Sequence, residues 1–348
     1  MRQFTTLETL SDGSKIKIGK PGITYKPGTP DLLYMFCQSG IVLAIEQGAL
    51  STADHAVVTI TSAGGEAVQI TYSFAYGGTI YADITDVVRS MVVRTLPTSS
   101  TPSSVGTALS VVDVELFDSG DNPVDNASFA ARAIDGMDYA TESPSDGFWP
   151  GVPDRVKVSG HPVTFLANGS DGEATVTVKN GTNTATVDNN GQAVTFSGPV
   201  TAYEVVDNGN TVARCILETV DCYSDKVTLR WWSPELGGWK SCVWDVVEQG
   251  QDAARVTLFD RMFARNAASD ASLWLRLRSP LCSVRDWLWL RDIAVSDEVE
   301  MLVTEKVETG GSTDIWRSVT VSPASTAWKI NDVKDFDIVV TAAEASSL

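Results

Sequence analysis

Residues 226 to 246 read KVTLRWWSPELGGWKSCVWDV and hold four of the chain's ten tryptophans around one Gly-Gly pair. The runs DKVTLRWWS and WKSCVWDVV are rich in Val, Thr and Trp, and SPELGG separates them, which is the pattern of a β-hairpin. Successive side chains of a strand point to opposite faces, so Trp231 and Trp232 cannot enter the same core. Trp239 and Trp244, five apart, also fall on opposite faces. Each face of the hairpin therefore carries two rings. Such a hairpin is either covered on both sides, by its own sheet partner and by a further domain or a second copy, or it presents an aromatic patch to a protein or to the flat face of a sugar. Trp231, Trp232, Trp239 and Trp244 are the candidate interface residues. Polar groups close by are Ser233, Glu235 and Lys240.

Outward from the hairpin the pattern stays close to period two. KIKIG, HAVVTITSA, AVQITYSFAYG and TALSVVDVELFDS alternate before it, each bounded by Gly, Ser or Asp. After YADI a short helical turn is expected, with Thr85 as its cap and Val87, Val88, Met91 and Val92 near one face. TLPTSSTPSSVGT, residues 95–107, reads as a loop. Residues 119–155 carry acids and prolines with little periodicity and read as a linker or extended arm. Asn-Gly then recurs at Asn168-Gly169, Asn180-Gly181, Asn190-Gly191 and Asn208-Gly209, a dipeptide that supplies the positive φ angles of a type I′ turn. The short runs EATVTVK, TNTATVD and QAVTFSG between them predict an up-and-down meander. Beyond residue 230 lie nine of the ten tryptophans; VRDWLWLRDIA is the one helix expected there, and EVEMLVTEKV, IWRSVTVSP, TAWKIND and FDIVVTAA return to strands. The expected class is all-β: tandem sandwich-like domains with antiparallel sheets and a few short helices. The expected division is a β-sandwich at 1–118, a linker or arm at 119–155, an antiparallel meander at 156–210 and a Trp-rich β domain at 211–348.

The 348 residues have a net charge of −18, with 43% hydrophobic and 20% charged residues, ordinary for a folded protein except in the charge. A polyanion with no Lys/Arg cluster of more than two repels phosphate backbones, which argues against nucleic acid and anionic membranes as partners. No apolar run has the length of a signal peptide or a membrane helix, so a protein made and left in the cytosol, without membrane insertion, is expected. Cys37, Cys215, Cys222, Cys242 and Cys282 contain no Cys-x-x-Cys pair, so buried free thiols are expected rather than zinc or disulfides.

Catalytic groups are sparse. His55 starts a strand and His161 precedes Pro162, and neither lies in a metalloprotease or nucleophile-elbow motif. The acidic turn DSGDNPVDN holds Asp118, Asp121 and Asp125 but lacks the alternating spacing of a calcium loop. No catalytic residue, metal or cofactor is expected, although a carboxylate pair of glycosidase type has no sequence signature that would reveal it.

Four segments carry a resemblance. CYSDKVTLRWWSPELGGWKSCVWDV, GTIYADITDVVRS, RDWLWLRDIAVSDEVEML and WRSVTVSPASTAWKINDVKDFDIVVTAA resemble, in order, segments of tail and baseplate-type structural proteins of phages and prophages of Bacteroidales, with Thr85 where Ser is commoner. The Asn-Gly region and residues 119–155 fall outside it. The resemblance implies a structural virion protein of the distal tail or baseplate, made in the host cytoplasm, whose partners are copies of itself and other tail proteins. A glycan- or receptor-binding module on the particle is the second reading, and a hydrolase the third.

Overall fold

The computed structural model describes residues 2–26, 31–74, 78–96, 103–104, 106–137, 152–159, 163–167, 175–180, 182–188, 192–196, 201–207, 209–220, 225–235, 237–260, 263–280, 283–306, 312–323 and 337–342. It is an all-β architecture of several sheets with two short α-helices among these residues.

The first unit contains β1 (Gln3–Thr9), β2 (Lys15–Lys20), β3 (Ile23–Lys26), β4 (Leu32–Phe36), β5 (Val42–Glu46), β6 (His55–Ser62), β7 (Ala67–Ser73), β8 (Thr79–Asp83), α1 (Thr85–Ser90), β9 (Ser103–Ser104), β10 (Thr107–Phe117) and β11 (Pro123–Ile134). A four-stranded sheet, β1-β2-β5-β8, packs on a six-stranded one, β3-β4-β11-β10-β6-β7. Ile16, Ile18, Leu43 and Ile45 from the first meet Val58, Ile60, Val112, Val114 and Leu116 from the second in an aliphatic core. These residues alternate with more exposed ones, as one buried sheet face requires.

The linker expected from residue 119 onward is corrected here. Pro123–Ile134 is a full strand in the middle of the larger sheet, antiparallel to β10 and parallel to β4. Its inward positions include Ala127, Ala131 and Ala133, buried but too small to give a hydrophobic alternation. The rest of that stretch from 138 to 151 lies outside the described residues. Thr85 also differs from expectation. It is the first residue of α1, with Ile84 at the cap position and no side-chain cap bond. Its hydroxyl accepts from Ile41 N–H and donates to Asp83, so it ties the helix to the strands instead.

The middle unit contains β12 (Arg155–Val158), β13 (Val163–Ala167), β14 (Thr175–Asn180), β15 (Asn183–Asp188), β16 (Gln192–Phe196), β17 (Ala202–Asp207) and β18 (Asn210–Thr219). It is not an up-and-down meander. One sheet runs β12-β18-β17-β14-β15, and β13 and β16 leave it to form a second sheet with β9. β18 begins where the third domain was expected to begin, yet pairs with β17 and, in parallel, with β12. Of the Asn-Gly pairs, Gly209 precedes Asn210, which pairs with Asp207, and has φ +80° as a type I′ turn needs, while Asn208 lies outside the described residues. Asn180 instead pairs with Asn183 and closes its ladder. Asn168-Gly169, Gly181 and Asn190-Gly191 lie outside the described residues.

The last unit is a closed six-stranded barrel of β19 (Lys226–Ser233), β20 (Gly238–Asp260), β21 (Phe263–Arg278), β22 (Val299–Lys306), β23 (Ser312–Pro323) and β24 (Asp337–Ala342), in the order β19-β20-β21-β24-β23-β22. Closure removes the open edges that a sheet otherwise exposes. Between β21 and β22 come α2 (Val284–Leu290) and a 3₁₀ turn (Arg291–Val295), where the sequence predicts a helix. Ser283 and Asp286 form a reciprocal capping box that starts α2. TAWKIND lies outside the described residues. One hydrophobic cluster joins this barrel to the middle unit, with Val156, Tyr203, Cys215 and Leu217 on one side and Leu229, Trp231, Trp244, Leu277 and Ile338 on the other.

Candidate functional site: the tryptophan hairpin and its junction

β19 and β20 pair with Trp231 opposite Lys240, Trp232 opposite Trp239 and Ser233 opposite Gly238. The expected division of rings is present: Trp231 and Trp244 lie in the cluster shared with the middle unit, while Trp232 and Trp239 sit edge to face on the other side, 5.8 Å apart. All four are buried within this one chain: Trp231, Trp232 and Trp244 are 0% exposed and Trp239 is 7%. As an interface they join parts of a single chain, and they offer no ring face on which a sugar could stack.

The inner face is organised by a buried ion pair. Asp292, on the 3₁₀ turn, accepts from Trp231 Nε1 at 2.7 Å and from Lys240 Nζ at 2.7 Å, and also from the Ser233 hydroxyl. Lys240 donates further to the Trp289 carbonyl at 2.8 Å. Both charged side chains are at most 5% exposed, so the cost of dehydrating them is met only because every neighbour donates or accepts. Trp289 closes the group, edge-on to Trp231 at 5.4 Å.

The outer face meets the first unit. The Trp232 ring lies against Gly106, where a Cβ would sit 2.4 Å from ring atoms Cη2 and Cζ2. Gly237, at φ +68°, is fixed the same way: a Cβ there would sit 2.6 Å from the Asp135 carbonyl oxygen. Arg94 lies over Trp232 at 4.9 Å and reaches three acids: Asp297 through two bonds of 2.7 and 3.0 Å, Glu298 at 3.1 Å, and Asp135 through Nε at 3.0 Å. A backbone bond tightens the seam, Met137 N–H donating to the Glu235 carbonyl at 3.0 Å, and on the barrel side Ser296 Oγ donates to the Trp232 carbonyl at 2.7 Å. Arg230 continues the alternation of cation and ring, 5.2 Å from Trp239 and 4.2 Å from Trp316, and pairs with Glu300. Burial alone would lower the Arg94 pKa, but its bonds to Asp297 and Glu298 and the charge of Asp135 reverse that and raise it. Asp297 is held below the ordinary 3.8, chiefly by its bond to Arg94.

Arg94, Asp292, Gly106 and Asp135 were not singled out from sequence, because each meets partners far along the chain. The His55 ring stacks on Phe117, 5.4 Å between centroids, with Asp54 and Asp121 at 3.7 and 3.6 Å; His161 lies outside the described residues. Asp118 accepts Gly120 and Asn122 N–H groups, which lower its pKa, and Asp125 accepts from Ser11 Oγ. Among the described residues no group of three or more His, Cys, Asp or Glu is placed to hold a metal ion. Cys37, Cys215 and Cys242 are buried free thiols, each pushed up to about 12 mainly by burial; Cys222 and Cys282 lie outside the described residues. No described helix is long and apolar enough to cross a membrane.

No family model matches the chain, and no curated protein matches it. Among solved structures it is similar to a Ca2+-stabilized adhesin that helps an Antarctic bacterium reach out and bind ice, at 13% identity over 85% of this chain and 97% of that one, with a TM-score of 0.18. At that TM-score the likeness carries no argument. What stands is the class: an all-β, multi-sheet protein whose aromatic hairpin is a junction between its own units.

Proposed function

We propose that the chain is a structural component of a phage tail, in the distal tail or baseplate region, working through contacts with copies of itself and with other virion proteins after synthesis in the host cytoplasm. The observation that carries this reading is where the segments resembling tail proteins lie. The described parts of residues 222–246, 285–302 and 316–343 converge on one body: Trp231 and Ser233 bond Asp292, Trp232 N–H donates to Glu298, and Arg230 stacks on Trp316. The fourth segment ends in α1, just before Arg94, which bonds Asp297 and Glu298 of the second. Short likenesses scattered over a sequence have no reason to meet in space, whereas parts of one scaffold do. Such a scaffold fits a protein that transmits geometry between neighbours. The acidic surface implied by a net charge of −18 favours solubility before assembly.

The test is composition. Purified particles from a producing host should contain the chain in fixed stoichiometry by quantitative mass spectrometry, and antibody labelling should place it at the distal tail. Absence from particles that are otherwise complete overturns the proposal.

A further inference from the structure

A cavity of about 320 Å³ opens where the middle sheet meets the barrel, lined among others by Lys157, Asp245, Arg278, Pro280, Trp289 and Leu290. Junctions between packed units are where small-molecule sites preferentially form, and this volume is at the small end of their range. β12 sets the polar wall: Val156 and Val158 enter the core, so the alternate positions Arg155 and Lys157 line the cavity. Lys157 lies opposite Glu218 in the parallel register with β18, and Asp245 lies opposite Arg278 across β20 and β21.

The charges there are balanced, three cations (Arg155, Lys157, Arg278) against three acids (Glu218, Asp245, Asp286). Two of the acids are already engaged. Glu218 pairs with Arg155 at 2.8 Å, and Asp286 accepts four donors, the N–H groups of Asp154, Arg155 and Ser283 and the Ser283 hydroxyl, at 2.8 to 3.0 Å. Of the other polar lining groups, the ammonium of Lys157 and the carboxylate of Asp245 supply a donor and an acceptor beside the half-buried Trp289 ring. Hydroxyl groups both donate and accept, so they satisfy both; a balanced wall gives no preference for a net charge. An indole beside them suits a ring with one apolar face.

We propose that this cavity binds one neutral pyranose residue, held by Asp245 and Lys157 and packed on Trp289. The site borders the buried hairpin, where Trp289 meets Trp231, and does not depend on the chain's place in a virion, since it is read on the isolated protein.

The experiment titrates the full chain with glucose, galactose, mannose and N-acetylglucosamine, with glucuronic acid and glucosamine as charged comparators. Saturation-transfer NMR and tryptophan fluorescence supply the readouts. At least one neutral sugar should bind saturably with Kd of about 1–10 mM, the range of a few polar contacts and one ring. Asp245→Ala and, separately, Lys157→Met should each weaken it tenfold or more while the thermal midpoint stays unchanged, and a variant that fails to fold leaves the other to decide. No saturation by any neutral sugar up to about 100 mM, equal binding by both folded variants, or tighter binding of a charged comparator than of every neutral sugar would each overturn the proposal. Particle composition is unaffected by any of these results, so the two proposals fail separately.

Discussion

The two faces of the tryptophan hairpin bury equal numbers of rings by different means. On the inner face Trp231 donates its indole N–H to Asp292, and the acid is neutralised by Lys240. On the outer face Trp232 Nε1 is buried with no hydrogen-bond partner among the described residues, and the ring is held by shape against Gly106 and by Arg94 above it. One face is specified by directional polar bonds within a unit. The other is specified by fit and charge between units, which is how separate surfaces dock. The difference teaches that the same dipeptide, Trp231-Trp232, both sets a core and fastens a domain.

Disturbing the inner network should have the largest effect. Asp292→Ala leaves Lys240 charged and buried without its counter-ion, so a loss of about 3–5 kcal/mol is expected in urea unfolding. A change below about 1 kcal/mol would show that water replaces the carboxylate and that the inner face is not specified by this bond. Gly106→Ala attacks the outer face. Its Cβ would meet the Trp232 ring at 2.4 Å, and φ is +55°, so about 2–3 kcal/mol of strain and overpacking is expected. The loss should appear as separation of the first unit's unfolding from the barrel's; a single unshifted transition would mean that the seam gives way freely.

Arg94→Met should cost about 2–3 kcal/mol, because Asp297 and Glu298 are open to water and screened while the buried Asp135 loses its cation and keeps the Gln38 amide as a donor. It also carries a pH signature. Asp297 has a folded pKa below its unfolded value, so its contribution is full above the ordinary 3.8 and is lost as pH falls through the depressed value. The wild-type seam should therefore loosen on acidification from about pH 4 downward, and the Arg94→Met protein should show a shallower acid limb. Identical limbs would break the link between Arg94 and Asp297. The smallest effect concerns thiols buried one in each unit. Cys37, Cys215 and Cys242, buried and shifted to about 12, should resist a thiol reagent at neutral pH in the folded chain and react on denaturation. Rapid reaction of any of the three in the native state would place it at an opening seam.

Period-two alternation made the all-β class legible, and the alternation rule alone separated the rings of the hairpin. What escaped sequence reading has physical causes. β11 hid because alanines bury without a strong apolar signal. The meander was misread because turn chemistry fixes a local reversal but not which sheet each strand then joins, and β13 and β16 pair away from their sequence neighbours. Residues 248–278 gave no strand signal, yet β20 and β21 run as one long paired hairpin from Asp245 opposite Arg278 to Asp260 opposite Phe263. The junction was invisible for a different reason. Arg94 meets Asp297 across 203 residues, and no local pattern marks one arginine or one acid among 44.

The strand order of the barrel has a consequence during synthesis. Every strand of the two sheets in the first unit emerges by Ile134, so that sandwich can fold while the ribosome is still at work. The barrel cannot close until β24, made after its other five strands, takes its place between β21 and β23. At about 5–20 residues per second the tryptophan hairpin waits on the order of ten seconds between emergence and closure. Through that interval Trp232 has a finished sandwich to lean on while Trp231 has only part of its enclosure, so the docking face of the hairpin is available to guide the chain before the core face is sealed.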